Sequence, residues 1–100
     1  MTNNMRPIHP GEILREEYLN ELGMSANALS IALRVPSSRI DQIIKEKRPL
    51  SPDKALRLAK YFGGDAQSWL NLQTTYDLKR TESKFGSLID SEVQPMASGQ

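Results

Sequence analysis

Residues 26–45, ANALSIALRVPSSRIDQIIK, contain two short amphipathic segments joined by a turn, and their spacing is the most informative pattern in the chain. Pro36 prevents the first helix from continuing and favours an extended backbone at Val35. Five apolar positions fit the shared core that a helix-turn-helix unit needs: Leu29, Leu33, Val35, Ile40 and Ile43. The pattern therefore predicts a helix-turn-helix, with a plain helical hairpin in a small bundle as the alternative.

Capping residues and prolines mark helix boundaries on both sides of this unit. The predicted helices run from about Pro10 to Leu22, from Ser25 to Leu33, from Pro36 or Ser37 through SRIDQIIKEK, from Ser51 to about Phe62, and from Asp65 onward. Three of them have an apolar stripe at helical spacing. The stripes are Ile13, Leu14, Tyr18 and Leu22; Ala55, Leu58, Ala59 and Phe62; and Trp69, Leu72 and Tyr76. No segment reads as a strand, so we expect an all-α fold of five short helices.

The two ends of the chain are polar and are predicted to be flexible. Residues 1–8 form a loose start, residues 9–79 form the folded domain, and residues 80–100 form a mostly flexible tail rich in Ser and Gly, with one short element near Leu88. The N-terminal residues lack the apolar stretch that a secretory signal needs, and no stretch of the sequence is long and apolar enough to span a membrane. We therefore expect a cytoplasmic protein.

The composition argues against an enzyme. The 100 residues include no Cys and a single His, which excludes thiol nucleophiles, disulfides and zinc sites with two or more histidines. His9 at a helix start is expected to cap or pack, and the acidic residues of the first helix are expected to form a solvated face rather than an acid–base pair. We expect no catalytic residue, metal, cofactor or small-molecule substrate.

The net charge of +1 is an average over three segments of different sign. Residues 25–60 have eight basic and three acidic side chains, whereas residues 1–24 and 61–100 each have a net charge of −2. The positive charge is thus gathered on the helix-turn-helix, and a dimer would carry about +10 there, enough for electrostatic attraction to a duplex.

The polar positions of the second helix suit DNA. Short or polar side chains fall away from its buried residues and can reach base edges, and Gln can bond adenine with both amide atoms. The predicted base-reading residues are Ser37, Ser38, Arg39 and Gln42. The predicted phosphate-binding residues are Asn27, Lys45, Lys47 and Arg48.

Three positions depart from the usual pattern. Arg34 stands where the turn normally has Gly, and it must adopt an unusual backbone angle unless the turn relaxes. Ser30 replaces the usual small Ala, and Ala26 replaces a Gln that often touches phosphate.

The chain resembles the HigA-type antitoxins, also called the virulence-associated protein I group, within the Cro and phage-repressor type of helix-turn-helix proteins. The resemblance covers residues 9–78 and rests on the segments HPGEIL at 9–14, Val35-Pro36 with Arg39-Ile40, ALRLA at 55–59, YFG at 61–63, WLNLQ at 69–73 and YDL at 76–78. It implies a phage-repressor-like domain that dimerises on a palindromic operator, represses its own operon and neutralises a RelE-like, mRNA-cleaving toxin.

The resemblance also implies a dimer contact near the last helix, with Trp69, Leu70, Leu72 and Tyr76 as candidates. One small core has little room for all of these side chains, although Trp69 and Tyr76 could instead complete the core of the monomer.

Three functions stay open on the sequence alone: an antitoxin, a stand-alone helix-turn-helix repressor without a toxin, and a protein-only interaction domain. A short basic reading frame beside this one would favour the antitoxin. The acidic first helix is a candidate surface for such a basic partner. Absence of binding to its own promoter at low salt would favour the protein-only domain.

Overall fold

The computed structural model describes residues 6–96, and within this range it contains five helices and no strand. Helix α1 is continuous through Pro10–Ile13, a π-helical Leu14–Leu19 and Asn20–Leu22; the others are α2 (Ala26–Leu33), α3 (Ser37–Ile44), α4 (Pro52–Phe62) and α5 (Ala66–Glu92). The all-α, five-helix prediction is confirmed. No helix among these residues is long and apolar enough to cross a membrane.

Three predicted caps start their helices as expected. The Ser25 hydroxyl accepts a hydrogen bond from the Ala28 N–H at 3.0 Å, which starts α2. Ser51 caps α4 in the same way at 3.3 Å, and a carboxylate oxygen of Asp65 caps α5 at 2.7 Å. Each cap satisfies one N–H group that has no partner inside its own helix, so these side chains fix where the helices begin.

The helix-turn-helix residues form the centre of the core. All five predicted positions are buried, from Leu29 at 0% exposed to Val35 at 7%. Ala55 and Leu58 of α4 are buried against them, and Phe62 packs at the edge. Burial of this set confirms the shared core that the spacing predicted for the two helices.

Helix α1 contains a wide π-helical turn that the sequence did not predict. Leu14 and Leu19, five residues apart, are both buried, whereas Leu22 is 61% exposed. Five residues span a little more than one turn of a π-helix, so the wide turn brings both leucines to the same face. The prediction that Leu22 belongs to the apolar stripe of α1 is therefore wrong.

The predicted tail is wrong for residues 80–92, because α5 is helical as far as Glu92. The short element expected near Leu88 is part of this helix. Between Ala66 and Pro95 the chain has no Pro, and Gly86, the one Gly inside α5, costs only about 1 kcal/mol of helix stability. Residues 93–96 follow the helix, and residues 97–100 and 1–5 of the predicted flexible ends lie outside the described range.

The second half of α5 projects from the body. The described chain measures 55 × 25 × 21 Å, with a radius of gyration of 17.1 Å. A compact domain of this length has a radius of gyration of about 13 Å. The side chains of residues 78–93 are mostly exposed, which is consistent with a helix that leaves the core.

Candidate nucleic-acid interface

Helix α3 buries one side and exposes the other. Ile40 and Ile43 are each 1% exposed, while Ser38, Gln42 and Lys45 lie at i, i+4 and i+7 on the opposite side and are exposed. This exposed side is polar and basic, and an α-helix of this width fits the DNA major groove.

Two further base-reading candidates begin α3. Ser37 is exposed, and Arg39 is half-buried beside the core. Among residues 6–96, the Arg39 guanidinium makes no hydrogen bond or ion pair. Its five N–H donors are therefore available for a base edge or a phosphate.

The segment after α3 folds back over the last turn of the helix. Glu46 has a left-handed backbone with φ of 63°, and the Lys47 N–H donates to the Gln42 carbonyl at 2.8 Å. The Arg48 Nε then donates to the side-chain oxygen of Gln42, also at 2.8 Å. Lys45, Lys47 and Arg48 are all exposed, so three basic side chains lie at one end of the recognition helix.

Helix α2 and the turn after it contain the remaining candidate, Asn27, and two of the unusual positions, Ser30 and Arg34. Asn27 is exposed in the first turn of α2. Ser30 is buried and donates from its hydroxyl to the Asn27 carbonyl at 2.6 Å. Arg34 adopts a left-handed backbone with φ of 59° and ψ of 46°, so the turn keeps its geometry despite the missing Gly.

Two arginines outside the helix-turn-helix cap its helices. Arg57 of α4 donates to the Leu33 carbonyl at the end of α2 at 2.8 Å and to Asp53 at 2.9 Å. Arg15 of α1 donates to the Ile44 carbonyl at the end of α3 and lies 3.4 Å from a carboxylate oxygen of Glu46. A cation at a helix C-terminus is favourable, so both contacts fix the orientation of the pair. Sequence reasoning missed both roles.

His9 joins α1 to α5. Its Nδ1 accepts the Gly11 N–H at 2.8 Å, and its ring lies edge-on to Tyr76 with centroids 4.8 Å apart. Burial of the imidazole lowers the pKa of His9 below its usual value of 6.5, because the charged form is poorly solvated there. The expected capping role fits this neutral, packed ring.

The predicted dimer residues lie mainly on the inner side of α5. Trp69 is 6% exposed and packs on Tyr18, with ring centroids 5.3 Å apart. This burial agrees with the alternative in which Trp69 completes the core of the monomer. Leu70 and Leu72 are half-buried at the edge of the core, and Tyr76 packs on His9. Trp69 therefore has little surface left for a second chain, whereas Leu70, Leu72 and Tyr76 keep part of theirs.

A different apolar stripe is exposed on the projecting part of α5. Leu78, Phe85 and Ile89 follow one another at spacings of seven and four residues and are 57%, 46% and 45% exposed. Leu88 and Val93 flank this stripe and are also exposed. The spacing is visible in the sequence, but the polar composition of residues 80–100 predicts a mostly flexible tail there.

The whole arrangement matches known proteins. The helix-turn-helix family model matches residues 15–69. Virulence-associated protein I of Dichelobacter nodosus is 64% identical over 86 residues, which cover 86% of this chain and 80% of the relative. Two solved structures have the same fold.

The first is an addiction module antidote protein of the HigA family from Coxiella burnetii, with a TM-score of 0.86 and 49% identity over 91% of this chain and 99% of that one. The second is the Pseudomonas aeruginosa antitoxin HigA with the higBA promoter, with a TM-score of 0.89 and 44% identity over 92% of this chain and all of that one. The fold and the matched region thus define a helix-turn-helix protein of the Cro type. The chain belongs to the family of virulence-associated protein I and the HigA antitoxins.

Proposed function

We propose that this protein is the antitoxin of a type II toxin–antitoxin pair, which binds operator DNA as a homodimer, represses its own operon and neutralises a RelE-like, mRNA-cleaving toxin. The observation that carries the proposal is the packed helix-turn-helix whose α3 exposes a polar and basic side. The solved relative from Pseudomonas aeruginosa, an antitoxin determined with its promoter, supports it.

In this proposal the exposed side of α3 enters the major groove. Ser37, Ser38, Arg39 and Gln42 read base edges, and Asn27, Lys45, Lys47 and Arg48 hold phosphates. The concentration of basic residues between positions 25 and 60 supplies the sequence-independent attraction.

The two kinds of contact are distinguished by titrating the protein against the duplex upstream of its own reading frame. Arg39→Ala should weaken binding to the operator by about 1–3 kcal/mol and leave binding to unrelated DNA nearly unchanged. Lys47→Ala should weaken binding to all sequences alike and lower the slope of log K against log salt by about 1. Unchanged operator binding by Arg39→Ala at fixed salt would remove it from the base-reading set.

The homodimer is proposed to form through the exposed stripe on α5. A single helix with Leu78, Phe85 and Ile89 in water leaves apolar surface that a second copy can cover by two-fold symmetric pairing. The variant Phe85→Glu/Ile89→Glu should sediment at half the wild-type mass. Leu56→Glu, at an α4 position that is 63% exposed, is the matched control and should stay dimeric. A double variant that still sediments as a dimer would exclude this stripe.

The toxin partner is proposed to dock on the acidic side of α1. Glu12 and Glu16 are paired with Arg6 and Arg15, whereas Glu17 and Glu21 are exposed toward solvent. A basic RNA-cleaving partner would be attracted to such a surface.

Co-expression with the adjacent reading frame tests the toxin directly. The wild type should co-purify with that product and relieve the growth arrest it causes. Glu17→Lys/Glu21→Lys should lose both effects, while Asp90→Lys/Glu92→Lys, which reverses two acids at the end of α5, should keep them. If no neighbouring product is toxic or is retained, the stand-alone repressor is the better description.

A further inference from the structure

Gln42 and Arg48 are joined at the C-terminal end of α3. The Arg48 Nε donates to the Gln42 Oε1 at 2.8 Å, and both side chains are exposed. The backbone prepares this contact, because the left-handed Glu46 and the hydrogen bond from the Lys47 N–H to the Gln42 carbonyl return the chain over that residue. The local fold thus brings together two side chains that are six residues apart.

The contact changes what Gln42 offers to DNA. A lone glutamine reads adenine with two bonds, because its Oε1 accepts from the adenine N6 amino group and its Nε2 donates to N7. Here Oε1 already accepts from a guanidinium. A second donor, such as the adenine amino group, would have to approach this oxygen beside a full positive charge, which is unfavourable.

What remains is an edge made of donors. The Gln42 Nε2 has two N–H groups, and the terminal nitrogens of Arg48 have four more beyond the one bonded to Gln42. In the major groove, guanine presents two acceptors, O6 and N7, and no donor. A donor edge therefore matches guanine and disfavours adenine.

We propose that Gln42 and Arg48 read one guanine-containing base pair as a unit, with Gln42 orienting the Arg48 fork and adding its own amide donors. This inference rests on the proposed binding of α3 to DNA, specifies its base preference, and moves Arg48 from the phosphate-binding set to the base-reading set. Holding the arginine in place before binding also reduces the conformational entropy that the contact loses. Sequence reasoning assigned the two residues separate roles, one on a base and one on a phosphate.

The test selects binding sites from a duplex library with randomised positions, using the full chain and three variants. The wild type should enrich guanine over adenine by roughly tenfold at one position in each half-site. Arg48→Ala should lose that enrichment and shift the same position toward adenine, because Oε1 is released. Gln42→Ala should lose the guanine preference at the same position. Lys47→Ala, the neighbouring exposed cation, should keep the wild-type sequence preference with lower affinity throughout.

Titrations at fixed salt on matched duplexes that differ only by guanine or adenine then complete a double-variant cycle. The losses from Gln42→Ala and Arg48→Ala should add to more than the loss of the double variant, because the two residues act together. Both positions are exposed, and unchanged far-UV circular dichroism confirms that each variant is folded.

Two results would overturn the inference while leaving DNA binding intact. One is that Arg48→Ala behaves like Lys47→Ala and weakens all sequences alike. The other is that Gln42→Ala and Arg48→Ala alter different positions of the selected site. A wild-type chain that enriches no sequence would instead overturn the proposed function itself, and the inference with it.

Discussion

Replacing Gly11 by alanine should strongly destabilise the protein, because α1 packs there on the backbone of the recognition helix. A methyl group at this position would lie 1.9 Å from the carbonyl oxygen of Ile43 and 2.8 Å from its carbonyl carbon. Ordinary contacts begin at 3.4 Å, so the two helices would have to separate by more than an ångström. The next carbonyl, that of Ile44, accepts the hydrogen bond from Arg15, and separation would weaken that contact too.

The expected magnitude follows from this overlap. Overpacking a core costs about 1–3 kcal/mol, and a clash with backbone rather than a flexible side chain belongs at about 3 kcal/mol. For a urea dependence of about 1.5 kcal/mol per molar, the unfolding midpoint should fall by about 2 M. Urea titration followed by far-UV circular dichroism at one protein concentration measures the shift.

The matched control adds the same methyl where there is room. Gly86 lies inside α5, and apart from its chain neighbours and the nearby backbone of its own helix no heavy atom lies within 4 Å of an added Cβ. Gly86→Ala should therefore raise the free energy of unfolding by about 0.5–1 kcal/mol. The reasoning is refuted if Gly11→Ala leaves the midpoint unchanged or raises it as the control does.

Three other changes test separate parts of the fold. Arg34→Gly should raise stability by about 1 kcal/mol, since glycine relieves the left-handed backbone; a lower melting temperature would contradict this. The lowered pKa of His9 makes the folded state bind its proton more weakly, so stability that is fully present above pH 6.5 should be lost progressively as the pH falls below that value. His9→Asn, which keeps a capping oxygen, should show a flatter profile over that range, and an equally steep one would disprove the assignment. Arg15→Met should lower the free energy of unfolding, measured by urea titration, by about 1 kcal/mol; an unchanged free energy would exclude the capping role of Arg15.

The helix boundaries and the core of the helix-turn-helix were predictable because their signals lie close together in the sequence. Ser25, Ser51 and Asp65 can be recognised as caps because the residue types and the helices after them are adjacent in the chain. The core of the helix-turn-helix was equally accessible, since Leu29 and Ile40 belong to short periodic patterns.

Features that depend on distant contacts were not predictable. The π-helical turn of α1 forms because Leu14 and Leu19 both reach the same core, which spacing rules for an α-helix do not anticipate. Among residues 6–96 the projecting half of α5 packs against no core residue, so the other side chains of the chain give no signal that its apolar stripe belongs to a helix. The hydrogen bond between Gln42 and Arg48 depends on the left-handed backbone of Glu46. A glutamate gives no sequence signal for that conformation.

A footprint on the DNA upstream of the chain's own reading frame tests the central claim most directly. Hydroxyl-radical cleavage in the presence of the full chain should show two protected segments related by two-fold symmetry. Their centres should lie about 34 Å, one helical turn, apart, as a dimer with two recognition helices requires. Protection of one isolated segment, or uniform protection at all positions, would contradict a dimeric helix-turn-helix protein that reads an operator.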